Sequence, residues 1–430
     1  MPFGTVSPTT PDCFHYDRHK GESMHTQTDL RHVIYALSDA LDLVGIDDIN
    51  HGKRVGIMAA ECMRLYGARS HEINFMFDLG TLHDIGVSST QTHRNLLREF
   101  DWEGSQEHCI TGAALLQDFA ALSEMAAPVL YHHTRWDKLV EQGVPEPVIW
   151  QANLILLADR VDVMTAPYYA DSSMLEHASE IREQVQMCSG TYFAPELVKL
   201  FLATSKSEAF WLQLETHSIQ RYLQDMLLQG PKSHADMSEL RQLASIFAHI
   251  VDAKSVFTAR HSQGVASLSR FLGQRMGVSP AHCDKIEIAG LLHDLGKLRI
   301  PDEILDKPGK LDSRERQIIN THSFETYQIL RQIKGFEEIT PWAAYHHEAP
   351  GGSGYPFHLM GETLPLEARI LRVADIFQAM VQERPYRAGL TIEEVRDFML
   401  DMAGQGKIDG DVVNAALCDL DETMRVALVV

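Results

Sequence analysis

Histidines and aspartates recur in this chain at matched separations. In the second half they are His261, His293, Asp294, His322, His346, His347 and Asp375. In the first half they are His51, His83, Asp84, His108, His132, His133 and Asp159. His51 and His83 are 32 residues apart, as are His261 and His293; His108 and His132 are 24 apart, as are His322 and His346. Neutral imidazole and carboxylate together hold borderline-to-hard transition ions. Five imidazoles and two carboxylates per half exceed what one tetrahedral ion needs, so each half is expected to hold two divalent ions. A single buried histidine would be an ordinary core residue. Burying two such sets with no metal between them would carry a heavy desolvation penalty.

The elements that position these residues read as helices. Val55, Met58, Ala59, Cys62 and Leu65 mark one apolar face, and Val265, Leu268, Phe271 and Leu272 mark its counterpart. His293 and Asp294 close the apolar run Ile286 to Leu292, ahead of Gly296, so ligands are expected at helix ends, gathered from several helices. His346 and His347 are adjacent, about 100° apart on a helix, and need not serve one ion. Alternating strand patterns are scarce.

The match between halves extends beyond the ligands. HGKRVGIMAAECMRLYG at His51 answers HSQGVASLSRFLGQRMG at His261, and GTLHDIG answers GLLHDLG, both at an offset of 210. ILLADRVDVM around Asp159 answers ILRVADIFQAM around Asp375. GTYFAPELVKLFL and GKIDGDVVNAAL resemble each other near the ends. This is duplication of a whole domain rather than a short solenoid repeat. The expected organisation is a mobile N-terminal tail over 1–25, a first domain over 26–205, a connecting helix and linker over 206–234, and a second domain over 235–430. The connecting helix is read from Ser207 to Gly230, broken by Gly230-Pro231.

Composition bounds the setting. Of 430 residues, 45% are hydrophobic and 23% charged, and no apolar run is long enough to span a membrane. The start is polar, with Pro2, Pro8 and Pro11, and does not read as a signal peptide. Six cysteines without a CxxC pair fit a reducing cytoplasm. A net charge of −21 argues against polymeric nucleic acid as a partner. A small anionic ligand remains compatible, because bound divalent ions reverse the field inside a cleft.

Three features distinguish the second half. Lys297 follows its His-Asp pair, where the first half has Val87. The loop Glu348 to Pro356, with Gly351, Gly352, Gly354 and Tyr355, follows its paired histidines, where the first half has Thr134 to Asp137. Arg384-Pro-Tyr-Arg387 follows Asp375, where the first half has Pro167-Tyr-Tyr169. Each alone would be a solvated lysine, a turn or a solvated arginine pair. All three lie just beyond ligands, and ammonium and guanidinium groups there suit phosphate, while Tyr355 can stack on a base or hydrogen-bond a phosphate.

The segments HDLGK, IPDEILDKPGKL, His346 to Pro356 and RPYR closely resemble the HD-GYP domain family, a branch of the HD metal-dependent phosphohydrolases, over about 180 residues of the second half. The resemblance implies an all-α fold and hydrolysis of a bacterial cyclic dinucleotide, cyclic di-GMP or cyclic GMP-AMP, to the linear dinucleotide. It implies iron or manganese as the metal, with zinc, nickel and cobalt compatible. It makes Asp294 the carboxylate bridging two ions and Lys297 a catalytic cation, with Lys297, Tyr355, Arg384 and Arg387 on the substrate. The partner is then a cyclic dinucleotide, with a second copy of the chain or a signalling protein as further candidates.

The chain departs from the family pattern at Gly351, where aspartate is usual, and at Gln378 and Val381, where aspartate and threonine are frequent. Three-ion members carry glutamate four residues before the first histidine; Phe257 stands there, which implies two ions. The first half resembles only the wider HD family, keeps every ligand, and has Asp47 four residues before His51 as an extra candidate ligand. It suits a 5′-nucleotidase or a regulatory site. Two rival readings of the whole chain are a general HD phosphohydrolase and a nucleotide receptor without turnover.

Overall fold

The computed structural model describes residues 28–45, 50–98, 103–230, 234–255, 260–382 and 389–428. The anticipated tail over 1–25, Asp47, Phe257, Pro231 and the Arg384–Arg387 segment lie outside the described residues. The fold is all-α, as the periodicity predicts. Its one sheet among the described residues pairs Thr28–Asp29 antiparallel with His234–Ala235, two residues each. No described helix is long and apolar enough to cross a membrane.

By contacts the chain divides into two units. One takes in Thr26–Ala259 and Asp294–Glu337; the other takes in Arg260–His293 and Glu338–Val430. The division falls on the peptide bond between His293 and Asp294, so compactness does not follow the sequence repeat. In the larger unit, the helices Leu30–Asp42 and Met237–Ala253 pack on the short turn Leu295–Arg299, and Leu30–Asp42 also packs on His322–Leu330. A buried polar knot ties this unit together. Lys254 Nζ donates to Asp302 Oδ1 at 2.9 Å, to Thr90 Oγ1 at 3.2 Å and to the Ser88 carbonyl at 3.3 Å. Asp302 also accepts from Ser89 Oγ at 2.8 Å.

Each unit is built on a helix pair whose crossing depends on glycine. Helix His51–Tyr66 meets Ser70–Leu82 where a Cβ on Gly80 would lie 2.6 Å from Gly56 Cα. Helix His261–Arg275 meets Pro280–Leu292 where a Cβ on Gly290 would lie 2.7 Å from Ala266 Cα. The cap before each first helix is left-handed and is not glycine: Asn50 at φ 82° and Arg260 at φ 65°. Asparagine tolerates that region through its short polar side chain, but arginine does not do so readily. Such conformations persist where surrounding structure imposes them, and here they aim the first histidine of each set.

The connecting segment differs from the single helix expected. It forms two helices, Glu208–Leu212 and Thr216–Gln229. The first is anchored by the Ser207 cap and by Trp211, whose Nε1 donates to the Ser205 carbonyl at 2.9 Å.

Candidate metal centres

The first-half set assembles inside the larger unit around Asp84. His51 opens its helix, His83 caps the end of Ser70–Leu82, His108 lies on Gln106–Gln117 and Asp159 on Glu146–Thr165. His132 and His133 follow the end of Ala126–Tyr131. Asp84 Oδ2 faces His83 Nε2 at 3.5 Å and His51 Nε2 at 3.8 Å. Its Oδ1 faces His108 Nε2 at 3.2 Å and His132 Nε2 at 3.6 Å. The ligand atoms form two groups that share this carboxylate: His51, His83 and Asp84, and Asp84, His108, His132 and His133, each within 4.8 Å. Asp159 joins the first group, its Oδ1 at 3.3 Å from His51 Nε2.

The residues suit metal ions. His83 Nδ1 donates to the Gly80 carbonyl at 2.7 Å and His132 Nδ1 to that of Val129 at 2.6 Å. Each bond fixes a tautomer that leaves Nε2 bare for a metal. His83 Nε2 and His133 Nε2 are buried with no hydrogen-bond partner among the described residues. Burial would raise the Asp84 and Asp159 carboxyls, but the surrounding histidines, with Arg160 beside Asp159, hold both well below the usual carboxylate range. Burial and the nearby His51 and His132 pull His83 down to about 4 despite Asp84. Despite burial, Asp159 and Asp162 push His51 up, Asp84 pushes His108 up to about 9 and Cys109 with Asp84 pushes His132 up, so a metal binding at these three would displace protons.

The second-half set is described unit by unit. In the smaller unit, His261 Nε2 lies 3.2 Å from Asp375 Oδ1, and His293 joins them as a third candidate ligand. His346 meets His293 edge-on with ring centroids 4.8 Å apart, and His347 lies beside His346 at 4.0 Å. His293 Nδ1 donates to Gly290 and His346 Nδ1 to Ala343, at 2.7 and 2.6 Å, the arrangement seen at His83 and His132. Burial opposes ionisation of Asp375, but the hydrogen bond from His261, with His293 and His347 nearby, holds its carboxyl well below the ordinary range. In the larger unit, Asp294 Oδ1 lies 3.4 Å from His322 Nε2, and Lys297 Nζ donates to Asp294 Oδ2 at 2.5 Å.

The loop after His347 is a built element. Glu348 is fully buried, and its carboxylate accepts from the backbone N–H of Phe357 at 2.6 Å and of Leu359 at 3.0 Å. Tyr355 N donates to the His347 carbonyl at 3.2 Å, and the tyrosine ring stacks on His347 at 4.8 Å. Gly352 supplies a positive φ of 77°. A Cβ at Gly354 would sit 2.4 Å from Glu348 Cα, so only glycine lets the loop close.

The residues behind the ligands escape sequence reasoning. Asp162 accepts from His51 Nδ1 at 2.8 Å, from Arg54 Nε at 2.6 Å and from the Tyr169 hydroxyl at 2.6 Å. Arg160, 2% exposed, donates twice to Asp159 Oδ2, at 3.0 and 2.7 Å. The D-x-x-D spacing of Asp159 and Asp162, one turn apart on a helix face, is the signal that could find them.

Comparisons with known proteins bear on the fold and the family. Residues 245–412 match the family described as HD domain. Over 398 residues the chain is 35% identical to 3′3′-cGAMP-specific phosphodiesterase 1 of Vibrio cholerae, spanning 91% of this chain and 92% of that one. It is 33% identical over 177 residues to the cyclic di-GMP phosphodiesterase response regulator RpfG of Xanthomonas campestris, spanning 40% of this chain and 47% of that one. The crystal structure of a Vibrio cholerae cyclic GMP-AMP phosphodiesterase, V-cGAP3, covers 92% of this chain and 98% of its own with a TM-score of 0.62; at 24% identity the likeness speaks for the fold. Helical scaffold and histidine–aspartate sets together define the HD class of metal-dependent phosphohydrolases. Within that class, the chain belongs to the HD-GYP family of phosphodiesterases.

Proposed function

We propose that the chain is a metal-dependent phosphodiesterase that opens a cyclic dinucleotide to its linear form, with 3′3′-cyclic GMP-AMP as the preferred substrate and the cytoplasm as its setting. The observations that support the reading are Lys297 on Asp294 in one unit and the Glu348-braced Tyr355 loop on His347 in the other, each beside a candidate ligand expected from the sequence. The preference for the mixed dinucleotide is supported by the relative of that name, which aligns over nine-tenths of both chains.

His261, His293, Asp294, His322, His346, His347 and Asp375 would hold two ions, with Asp294 between them. Bound there, the ions supply Lewis acidity and a water activated near neutral pH. The chain's own residues do the rest. Lys297 places a positive charge beside Asp294, where it can meet a non-bridging phosphoryl oxygen as charge develops. Tyr355 offers a ring face for a base, held in place by its stack on His347. Arg384 and Arg387 suit the second phosphate.

Purified protein incubated with cyclic GMP-AMP and cyclic di-GMP under defined iron or manganese, with products followed by mass spectrometry, tests this. Linear dinucleotide from neither substrate would overturn it. Lys297→Ala should keep its ions, by elemental analysis, and slow turnover by roughly 10²–10³-fold, the effect of losing one charge-stabilising group. Turnover at the wild-type rate would remove Lys297 from the mechanism.

The first half supports a second reading. Its centre has a shared carboxylate and two ligand groups, but Val87 stands where the lysine would be and no glycine loop follows His133. We infer a 5′-nucleotidase acting on the 5′-phosphate of the linear product, again with two ions. The double substitution His83→Ala, Asp84→Ala should leave cleavage of the cyclic substrate largely intact and diminish phosphate release from the linear dinucleotide. Circular dichroism must show the variant folded. Complete loss of cyclic-substrate cleavage by a folded variant would place the primary chemistry in the first half.

A further inference from the structure

In both centres the first histidine is held from behind, but by different chemistry. His51 Nδ1 donates to Asp162 Oδ2 at 2.8 Å. Asp162 is fully buried and shared with Arg54, whose guanidinium also lies 4.2 Å from the Tyr169 ring centroid. His261 Nδ1 donates instead to Oε1 of Gln378 at 2.5 Å. Gln378 is 2% exposed and packs so closely on Gly264 that a Cβ there would lie 2.9 Å from both its Cγ and its Nε2. The two acceptors occupy the same place, three residues beyond the ligand carboxylates Asp159 and Asp375. The ligand faces are alike: His51 Nε2 lies 3.3 Å from Asp159 Oδ1, and His261 Nε2 lies 3.2 Å from Asp375 Oδ1. What differs is the charge behind the ring.

A carboxylate behind an imidazole draws on the Nδ1 proton and makes Nε2 a stronger donor to a metal. A carboxamide orients the ring and fixes the same tautomer without adding charge. Arg54 offsets part of the Asp162 charge, donating from Nε to Oδ1 at 2.6 Å and from a terminal nitrogen to Oδ2 at 2.9 Å, while His51 keeps its own bond to Oδ2.

We infer that Gln378 is a positioning residue that aims His261 while keeping its donor strength low, so that the two centres are graded: the first half holds its ions more tightly than the second. This rests on the proposed metal reading. The chemical sense is direct. A more weakly donating ligand leaves the ion a stronger Lewis acid toward substrate, at the cost of easier loss. The departure from aspartate at position 378 is then a setting of the second centre rather than a neutral drift.

The test uses the full chain loaded with manganese alone and challenged with excess chelator, ion content being followed over time by elemental analysis. The wild type should lose manganese in two phases. Gln378→Glu, which keeps the side-chain length and adds the charge, should slow the fast phase by roughly 10-fold or more and leave the slow phase alone. Asp162→Asn should accelerate the slow phase by a similar factor and leave the fast phase alone. Thermal melts followed by circular dichroism confirm that each variant is folded. A single phase in the wild type overturns the grading. So does a folded Gln378→Glu variant whose fast phase is unchanged or faster. Should that variant not fold, Asp162→Asn decides: an unaltered slow phase overturns the inference. A wild type that takes up no manganese at all is a different failure, that of the metal reading itself.

Discussion

Replacing Asp294 by alanine is expected to abolish cleavage of the cyclic dinucleotide to the limit of detection. Asp294 is the second-half counterpart of Asp84, whose two oxygens face two separate groups of histidines. Asp294 also anchors Lys297 and lies beside His322. Removing it takes away the shared ligand and releases the cation together, so the losses do not simply add. Elemental analysis should show the second-half ions gone, while the first-half ions remain. The Asp294 side chain is 3% exposed and paired with Lys297, so its removal leaves a partly buried charge uncompensated, and circular dichroism must show the alanine variant folded before its activity is read. Residual turnover above about a hundredth of wild type, with ions retained, would sink the bridging assignment, because loss of even one charge-stabilising group costs that much.

The second large effect falls on a residue with no side chain. Gly296→Ala should cripple the same centre without touching a ligand. A Cβ at Gly296 would lie 2.0 Å from the His322 carbonyl and 2.8 Å from Glu325 Cβ, and Gly86 stands in the same relation to the His108 carbonyl at 2.1 Å. A backbone carbonyl at the head of helix His322–Leu330 cannot give way without carrying its histidine with it. Overpacking of this kind costs typically about 1–3 kcal/mol of stability. The displaced His322 should lower activity by at least roughly 10²-fold, since misplacement by an ångström costs that much. A melting curve and a metal determination on Gly296→Ala check both parts; unchanged activity would show that the helix seats itself otherwise.

Those two residues show where the sequence speaks and where it is silent. The ligands are legible because imidazole and carboxylate at repeated separations have few uses besides binding metal, and the helical class follows from the 3.6-residue spacing of apolar positions such as Val55, Met58 and Cys62. The loop at Glu348–Pro356 is legible as glycine-rich, but not the buried carboxylate that ties it down. Gly86 and Gly296 read as ordinary turn residues, since the His108 and His322 carbonyls they meet come 22 and 26 residues later in the chain. Asp162 and Arg160 are hidden among the other charged residues, because nothing in a linear pattern says which of two carboxylates on a helix faces a metal and which faces the back of a histidine. Gln378 is visible only as a departure from the family pattern, and its meaning depends on the distance to His261. Compactness is the least legible property: the placing of Asp294–Glu337 with the N-terminal unit depends on contacts made by Leu30–Asp42, Thr90 and Lys254.

That placing bears on how a chain with two matched halves can change over time. The segment that begins with Asp294 and carries Lys297 and His322 rests on helices supplied by the first half, and Asp302 is clasped through Ser89 and Thr90. A copy freed from its original chemistry would ordinarily drift or be deleted. Here the first half could lose every candidate ligand and still be retained, because Leu30–Asp42, Ser89 and Thr90 hold the segment that carries Asp294, Lys297 and His322. Inheritance then passes the pair on as one unit, and any new activity in the first half arises in a scaffold already kept for another reason.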